Sequence, residues 1–290
     1  MSRNNYEINQ SGNTGFVQGV HYGDNVFYGS TTSGFSPRHV ALETHKKVKT
    51  EWEAVGTGEW LLKERDYRIW EEMEKQYSFL WLYGRPGFGK TTLMSRVIES
   101  IYQNQSPARD PETIQVLYFY VTWGDDKKHD ELYRNILMTF WDQSTGGGPL
   151  NIFQGSPLDS METALHDQLV SSKRDTYIVI DSLDQLPSDL RYRLTGTLHT
   201  MVRRFKEGAC GCRLSVAISS RDKNWINALQ PDPVFRIEVT ARKNESDIEI
   251  YLGKALRSPL FDKKPELRQR VLEELKSRAD GMSVFTFNID

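Results

Sequence analysis

Phe79-Leu80-Trp81-Leu82-Tyr83-Gly84-Arg85-Pro86-Gly87-Phe88-Gly89-Lys90-Thr91-Thr92 is the stretch that decides the fold. It opens on a short apolar and aromatic run, which reads as a buried strand. Gly84–Thr91 then fits G-x-x-x-x-G-K-[ST] at every fixed position. Glycines let the backbone turn tightly, so that successive N–H groups converge on phosphate oxygens. A helix beginning near Lys90 adds its positive N-terminal end. Lys90 supplies a mobile cation, and the Thr91 hydroxyl is a hard oxygen ligand suited to Mg²⁺. Gly84, Arg85, Pro86, Gly87, Phe88, Gly89, Lys90, Thr91 and Thr92 are therefore candidate nucleotide-binding residues. Beyond them Leu93, Val97 and Ile101 recur at helical spacing, the context such a loop requires.

Downstream, apolar runs alternate with periodic segments. Val116–Val121, Tyr177–Ile180, Leu214–Ile218 and Phe235–Val239 read as strands. Leu132, Ile136 and Phe140, then Leu190, Leu194, Leu198 and Met201, mark helices between them. Near-continuous apolar strands separated by helices indicate a sheet covered on both faces. The expected fold is α/β: a P-loop NTPase with a five-stranded, mainly parallel sheet, followed by a small helical domain. Tyr177–Ile180 ends in Asp181, a carboxylate placed either to meet Mg²⁺ beside the phosphates or simply to cap a strand. Asp184 is a candidate base or a solvated loop acid, and the adjacent Gln185 cannot take a proton. Arg221, after Leu214–Ile218 and Ser219-Ser220, is either a reporter of the terminal phosphate or a surface residue.

The ends of the chain differ from this middle. Residues 1–35 hold six of the 21 glycines and only three charged residues, too little to build a core. They carry a weak repeat, Gly12/Gly23, Asn13/Asp24, Phe16/Phe27 and Val17/Tyr28, with the low charge of cross-β segments. A disordered tail is the other reading. Residues 36–75 read as a helical linker, starting at Ser36-Pro37, with a second helix from Thr57-Gly58 that places Trp60, Glu64, Tyr67 and Trp70 at helical spacing. Residues 76–241 form the nucleotide-binding domain and 242–290 a helical domain. The latter starts at Asn244-Glu245-Ser246-Asp247, and a second helix carries Leu267, Val271 and Leu275 to about Ala279-Asp280-Gly281. Ser144–Pro149 is a loop.

Composition narrows the classes. The 37 basic and 39 acidic residues leave no basic surplus, which argues against nucleic acid and anionic membranes. The basic cluster Arg191, Arg193, Arg203, Arg204 and Lys206 lies with Asp189 and Glu207, as on a solvated face. The longest apolar run has six residues, so no membrane span is expected. Cys210 and Cys212 share one loop and the six histidines are scattered, so neither a disulfide scaffold nor a zinc site is expected. A cytoplasmic location with reduced thiols follows.

Taken together, Gly56-Thr57-Gly58-Glu59-Trp60-Leu61-Leu62, Gly84–Thr91, Tyr177–Asp184, Ser219–Arg221, Asp247-Ile248-Glu249-Ile250-Tyr251-Leu252 and Ala279-Asp280-Gly281-Met282 resemble the NACHT NTPases of fungal NOD-like receptors, in the STAND class. The resemblance covers roughly residues 55–285. It implies an ADP-bound closed form, with exchange for ATP permitting homo-oligomerisation. It implies that Lys90 and Thr91 carry phosphate and Mg²⁺, that Asp181 is the Walker B acid and a second Mg²⁺ contact, that Arg221 is the sensor arginine, and that Thr57 and Gly58 lie near the base. Residues 1–35 resemble the amyloid signalling motifs that open such receptors, with an effector protein carrying a matching motif as partner. Two departures stand out. Asp184-Gln185 replaces the usual Asp-Glu, and the chain stops where the family continues into a winged helix and a repeat domain.

The implied function is an ADP/ATP-dependent signalling switch, of the immune or self/non-self recognition type, with slow ATP hydrolysis. A generic P-loop ATPase doing mechanical or nucleic-acid work, and a non-hydrolysing adaptor, are the alternatives. Nothing in the residues chooses ATP over GTP.

Overall fold

The computed structural model describes residues 37–72, 78–103, 113–122, 129–147, 153, 155–208, 211–221, 234–257 and 264–279. Expectations for residues 1–35, for Gly148-Pro149, for Cys210 and for Asp280-Gly281 lie outside them. Five strands, β1 (Phe79–Tyr83), β2 (Ile114–Tyr120), β3 (Asp175–Asp181), β4 (Leu214–Ser220) and β5 (Val234–Glu238), form one sheet in the order β2-β3-β4-β1-β5. Every pairing is parallel, where the sequence led us to expect a mainly parallel sheet. This is the P-loop α/β fold.

The period of two along each strand sends alternate side chains to opposite faces. Phe79, Trp81, Leu117, Phe119, Ile178, Ile180, Val216 and Ile218 pack one way, against α5 (His129–Thr145), α6 (Leu158–Ser171) and α7 (Ser188–Glu207). Leu80, Leu82, Val116, Tyr118, Tyr120, Tyr177, Val179 and Ala217 pack the other way. They meet α1 (Pro37–Val55), α2 (Glu59–Lys63), α3 (Arg65–Glu71) and α4 (Lys90–Gln103), which supply Ala41, Leu61, Tyr67, Trp70, Leu93 and Val97. Both faces are covered, which is why the strands read as unbroken apolar runs. Helix α6 has no counterpart among the elements expected from sequence. Its buried Leu158, Met161, Leu165 and Leu169 do carry the helical period.

Two boundaries differ from expectation. The single helix expected from Thr57-Gly58 is broken at Glu64, whose extended backbone (ψ 133°) ends α2 and starts α3. Helix α8 (Ala241–Ala255) begins before Asn244, because the Thr240 side chain caps it by accepting from Lys243 N. Asn244 and Asp247 are thereby freed for tertiary contacts. Helix α9 (Pro265–Ala279) packs Leu272 and Leu275 on Ile248 and Leu252 of α8. No helix among the described residues is long and apolar enough to cross a membrane.

Candidate nucleotide site

In a parallel sheet, the strands' carboxyl ends open onto the crevice where ligands bind. Here β1, β3 and β4 deliver Gly84, Asp181 and Arg221 to that edge. Gly84 N donates to Ser220 O at 3.3 Å, so the loop leaves the sheet beside the end of β4. A side chain at Gly84 would stand 2.5 Å from the carbonyl oxygen of Val239, a backbone atom that cannot swing away. Gly87 and Gly89 hold φ of 77° and 76°, the left-handed region that glycine adopts without strain. The motif's glycines thus answer to a close approach and to backbone sign.

Lys90 is buried, with Nζ donating to Gly84 O (2.7 Å) and Arg85 O (2.8 Å). Its ammonium folds back over its own loop, and burial lowers its pKa. Thr91 donates from Oγ1 to Asp181 Oδ2 at 2.7 Å, bringing the two expected Mg²⁺ contacts together across 90 residues. Asp181 also accepts from Ser219 Oγ at 2.5 Å and Ser182 Oγ at 3.2 Å. Burial raises its pKa, against the hydroxyls of Ser219, Thr91 and Ser182 and the charge of Lys90, which pull it down. Among the described residues Asp181 has no ion-pair partner within reach. Ser182 takes a left-handed backbone (φ 57°), and its N–H donates to Ser219 Oγ at 2.8 Å, so Ser219 is fixed at both ends. The hydroxyl pair of Ser182 and Ser219 was not given a role from sequence. Its signal is the placement of small hydroxyl residues at the ends of β3 and β4.

Asp184 and Arg221 come together. Arg221 N donates to Asp184 Oδ1 at 3.1 Å, and its Nε stands 3.5 Å from Oδ2. Arg191 Nη2 donates to the Asp184 carbonyl at 3.3 Å. Asp184 is therefore engaged by Arg221, whose side chain is half exposed. Gln185 leaves its side-chain Oε1 buried without a hydrogen-bond partner among the described residues. In the loop, Arg85 and Pro86 are exposed, Phe88 is buried, and Thr92 is half-buried in the first turn of α4. Thr57 and Gly58 form the turn before α2. Thr57 O accepts from Arg96 Nε at 2.6 Å, and Gly58 N donates to Asp247 Oδ2 at 2.9 Å. Asn244 Nδ2 donates to Phe88 O at 2.7 Å. Arg96, Asn244 and Asp247 were not singled out as site residues, because nothing local in sequence marks a partner 39, 156 or 189 residues away.

Thr91 and Asp181 offer adjacent hard oxygens, the donor chemistry Mg²⁺ takes alongside phosphate and water. No group of three or more His, Cys, Asp or Glu able to hold a metal occurs among the described residues. In the basic cluster of α7, Arg193 pairs with Asp159 and with Glu162 at 2.8 Å, and Arg203, Arg204 and Lys206 are exposed.

No curated protein matches the chain. Among solved structures, the ADP form of the Aeropyrum pernix ORC2 protein is 20% identical with a TM-score of 0.46, over 67% of this chain and 51% of that one. Domain III of the Thermotoga maritima replication initiation protein DnaA is 17% identical with a TM-score of 0.41, over 74% of each. Cdc6p from Pyrobaculum aerophilum is 14% identical with a TM-score of 0.42, over 83% of this chain and 64% of that one. The chain thus spans about half the length of the ORC2 protein. A family profile described as Nephrocystin 3, N-terminal, matches residues 56–221, which contain the loop, Asp181, Asp184 and Arg221. That match spans more than half of the sequence, and the chain belongs to the Nephrocystin 3 N-terminal family.

Proposed function

We propose that this protein is a nucleotide-dependent switch that binds ADP and ATP with Mg²⁺ at the loop Gly84–Thr92. The observation that carries the reading is the meeting of Lys90, Thr91 and Asp181 at one end of the sheet. Lys90 leaves its loop carbonyls for the β- and γ-phosphates, whose charge offsets the cost of burying the ammonium. Thr91 and Asp181 would hold Mg²⁺, whose charge would offset that of the phosphates. Arg221 reaches the terminal phosphate from β4, and Thr57 and Gly58 flank the base. Residues 76–241 act as the nucleotide-binding unit, 242–290 as a helical lid and 36–75 as the linker between it and the N-terminal segment.

Hydrolysis is slow in this reading, at or below the ~1 s⁻¹ low end of ordinary enzymes. Gln185 cannot act as a base, and Asp184 is paired with Arg221. That same pair of facts supports the non-hydrolysing adaptor as a second reading. In either case the nucleotide state governs homo-oligomerisation. Oligomers gather residues 1–35 at high local concentration, which favours a cross-β nucleus able to template an effector protein of immune or self/non-self signalling.

The test is to identify the nucleotide that co-purifies with the protein and to titrate ADP, ATP and GTP by calorimetry. Retained ADP, with micromolar binding of at least one adenine nucleotide, is expected. Absence of any nucleotide binding at millimolar concentration overturns the reading.

A further inference from the structure

Helix α8, which follows the sheet, reaches the phosphate loop through one side chain. Asn244 lies inside α8, where its N–H donates to Thr240 O at 3.1 Å, and it is 3% exposed. Asn is a poor residue for a helix interior because its amide competes for backbone bonds, so a buried one answers to a tertiary partner. That partner is the carbonyl of Phe88, which accepts from Asn244 Nδ2 at 2.7 Å. Both ends of this bond are anchored. Helix α8 is seated by Asp247 Oδ2, which accepts from Gly58 N at 2.9 Å, and by Lys243 Nζ, 2.6 Å from Glu64 Oε1. Phe88 N donates to Arg85 O at 3.4 Å, and the buried Phe88 ring belongs to the core that holds Leu82 and Leu93.

Phe88 O and Gly89 N–H share one trans peptide, so they point in opposite directions. With the carbonyl held toward α8, the Gly89 N–H is turned away from it. No hydrogen-bond partner meets that N–H among the described residues. The next peptide is fixed as well, since Gly89 O accepts from Leu93 N at 3.0 Å in the first turn of α4. Gly89, at φ 76°, thus presents one donor from a backbone pinned on both sides. A donor without a partner, at the N-terminus of α4 and one residue before Lys90, suits an anionic oxygen. We infer that Asn244 is a positioning residue for phosphate: by holding Phe88 O it aims Gly89 N–H at a phosphate oxygen, so that the cradle is complete only while α8 is seated. This rests on the nucleotide-binding reading of Gly84–Thr92.

The experiment titrates the full chain with ADP and with inorganic pyrophosphate, which has the phosphates but no nucleoside. Asn244→Ala should weaken both about tenfold, the loss of one hydrogen bond to a charged group, with the stoichiometry unchanged. A merely structural role would lower the folded fraction, and so the stoichiometry, and leave the dissociation constants alone. Asn244→Asp gives a second readout. Its ionised carboxylate cannot donate to Phe88 O, whereas its protonated form can. Relative to Asn244→Ala, its affinity for ADP should be lower at about pH 9 and higher at about pH 5, and comparing the two variants at each pH cancels titration of the ligand's own phosphates. Loss of charge alone would bring it level with the alanine variant, and only donation takes it beyond. Unchanged dissociation constants in Asn244→Ala, ADP weakened with pyrophosphate spared, or an Asn244→Asp variant that never surpasses the alanine overturns the inference. Should Asn244→Ala not fold, an Asn244→Asp affinity that does not recover toward wild type at low pH overturns it instead. Lys90→Ala separates the two claims. If it spares both ligands, the nucleotide reading of the loop fails. If it abolishes both while the Asn244 variants bind as wild type does, only the positioning role fails.

Discussion

Two buried polar clusters flank α4, and they are built to opposite standards. At the sheet edge, Asp181 is 3% exposed and receives hydroxyls from Thr91, Ser219 and Ser182, but no cation pairs with it among the described residues. On the α1 side, His45 is 5% exposed and every polar atom of its ring is engaged. Its Nδ1 meets Tyr120 OH at 2.8 Å, its Nε2 meets Glu99 Oε1 at 2.9 Å, and Lys49 closes the other Glu99 oxygen at 2.6 Å. Trp52 Nε1 donates to Ser95 Oγ at 3.0 Å alongside. The Lys90 charge acts on Asp181 without an ion pair between them, and burial still raises the Asp181 pKa, so the carboxylate is costly to hold ionised. A buried ion set with all its bonds made is a docking device. The first cluster is left short of positive charge where a ligand and its metal would supply it. The second is complete and holds α1 to the rest of the fold.

The sharpest way to break this contrast is Lys90→Ala. It removes the loop's buried cation and should weaken nucleotide binding by about a hundredfold, since two charge-assisted bonds at ~1.5–3 kcal/mol each are lost. Thermal stability should fall modestly, because the ammonium donates to two loop carbonyls and its charge favours ionised Asp181. Unchanged affinity by calorimetry would sink the assignment. On the other side, His45→Ala should lower stability by about 2 kcal/mol, as Tyr120 and Glu99 lose a buried partner, with ATP affinity within about threefold of wild type. Denaturant titration and calorimetry on one preparation decide it. A large loss of affinity would mean that the two clusters are coupled and the contrast is wrong.

Asp181→Asn tests the first cluster from within. A carboxyl whose folded pKa is raised by burial costs stability at every pH above its unfolded pKa. Asn removes that cost, so the midpoint of thermal unfolding should rise by about 2–4 °C while Mg²⁺-dependent turnover is lost. A lower midpoint would show that the three hydroxyls already repay the burial of the charge.

The same contrast explains what could be read from sequence. The loop, its strand and the Asp181 strand end are contiguous patterns, so periodicity and one short motif placed the sheet and a candidate phosphate loop at its edge. The site roles assigned to Thr91 and Asp181 fell within 2.7 Å of each other. Tertiary grips left no such trace. His45 with Tyr120, Asp247 with Gly58, and Asn244 with Phe88 are single polar residues, paired at separations of 75, 189 and 156. Asn244 and Asp247 even mimicked a helix start, because cap residues and buried amide or carboxylate contacts use the same side chains. Helix α6 went unread although Leu158, Met161, Leu165 and Leu169 mark it.

The smallest expected effect is a pH dependence confined to the second cluster. Burial lowers the His45 pKa from its ordinary 6.5, against the hydrogen bond and charge of Glu99, which raise it, and the charge of Lys49, which lowers it further. The Glu99 carboxylate is held by Lys49, so it accepts from Nε2–H, and Nδ1 is left to accept from Tyr120 OH: the folded ring is neutral. The unfolded chain takes up a proton as pH falls through about 6.5, while the folded chain does so only lower down. Stability is therefore flat in this group above about 6.5 and falls as pH drops toward the folded pKa, no more steeply than the ~1.4 kcal/mol per pH unit of one proton. Burial raises the Tyr120 pKa further above its ordinary 10, so this phenol, packed against the ring from β2, adds no slope in this range. Glu99 acts in a separate window. Burial alone would raise its pKa, but Lys49 and His45 leave it below the ordinary 4.5, so its stabilising share is lost only below about that pH. Between roughly pH 5 and 6.5 the histidine is the titrating member of the cluster. His45→Gln, which cannot protonate, should reduce the slope there by up to one proton's worth and leave the slope below pH 4.5 in place. Equal slopes for wild type and His45→Gln in denaturant titrations at pH 5 to 7 would show that folding leaves the His45 pKa unshifted, and a wild-type slope of the opposite sign would show that the ring is charged in the fold, an ion pair rather than a neutral relay.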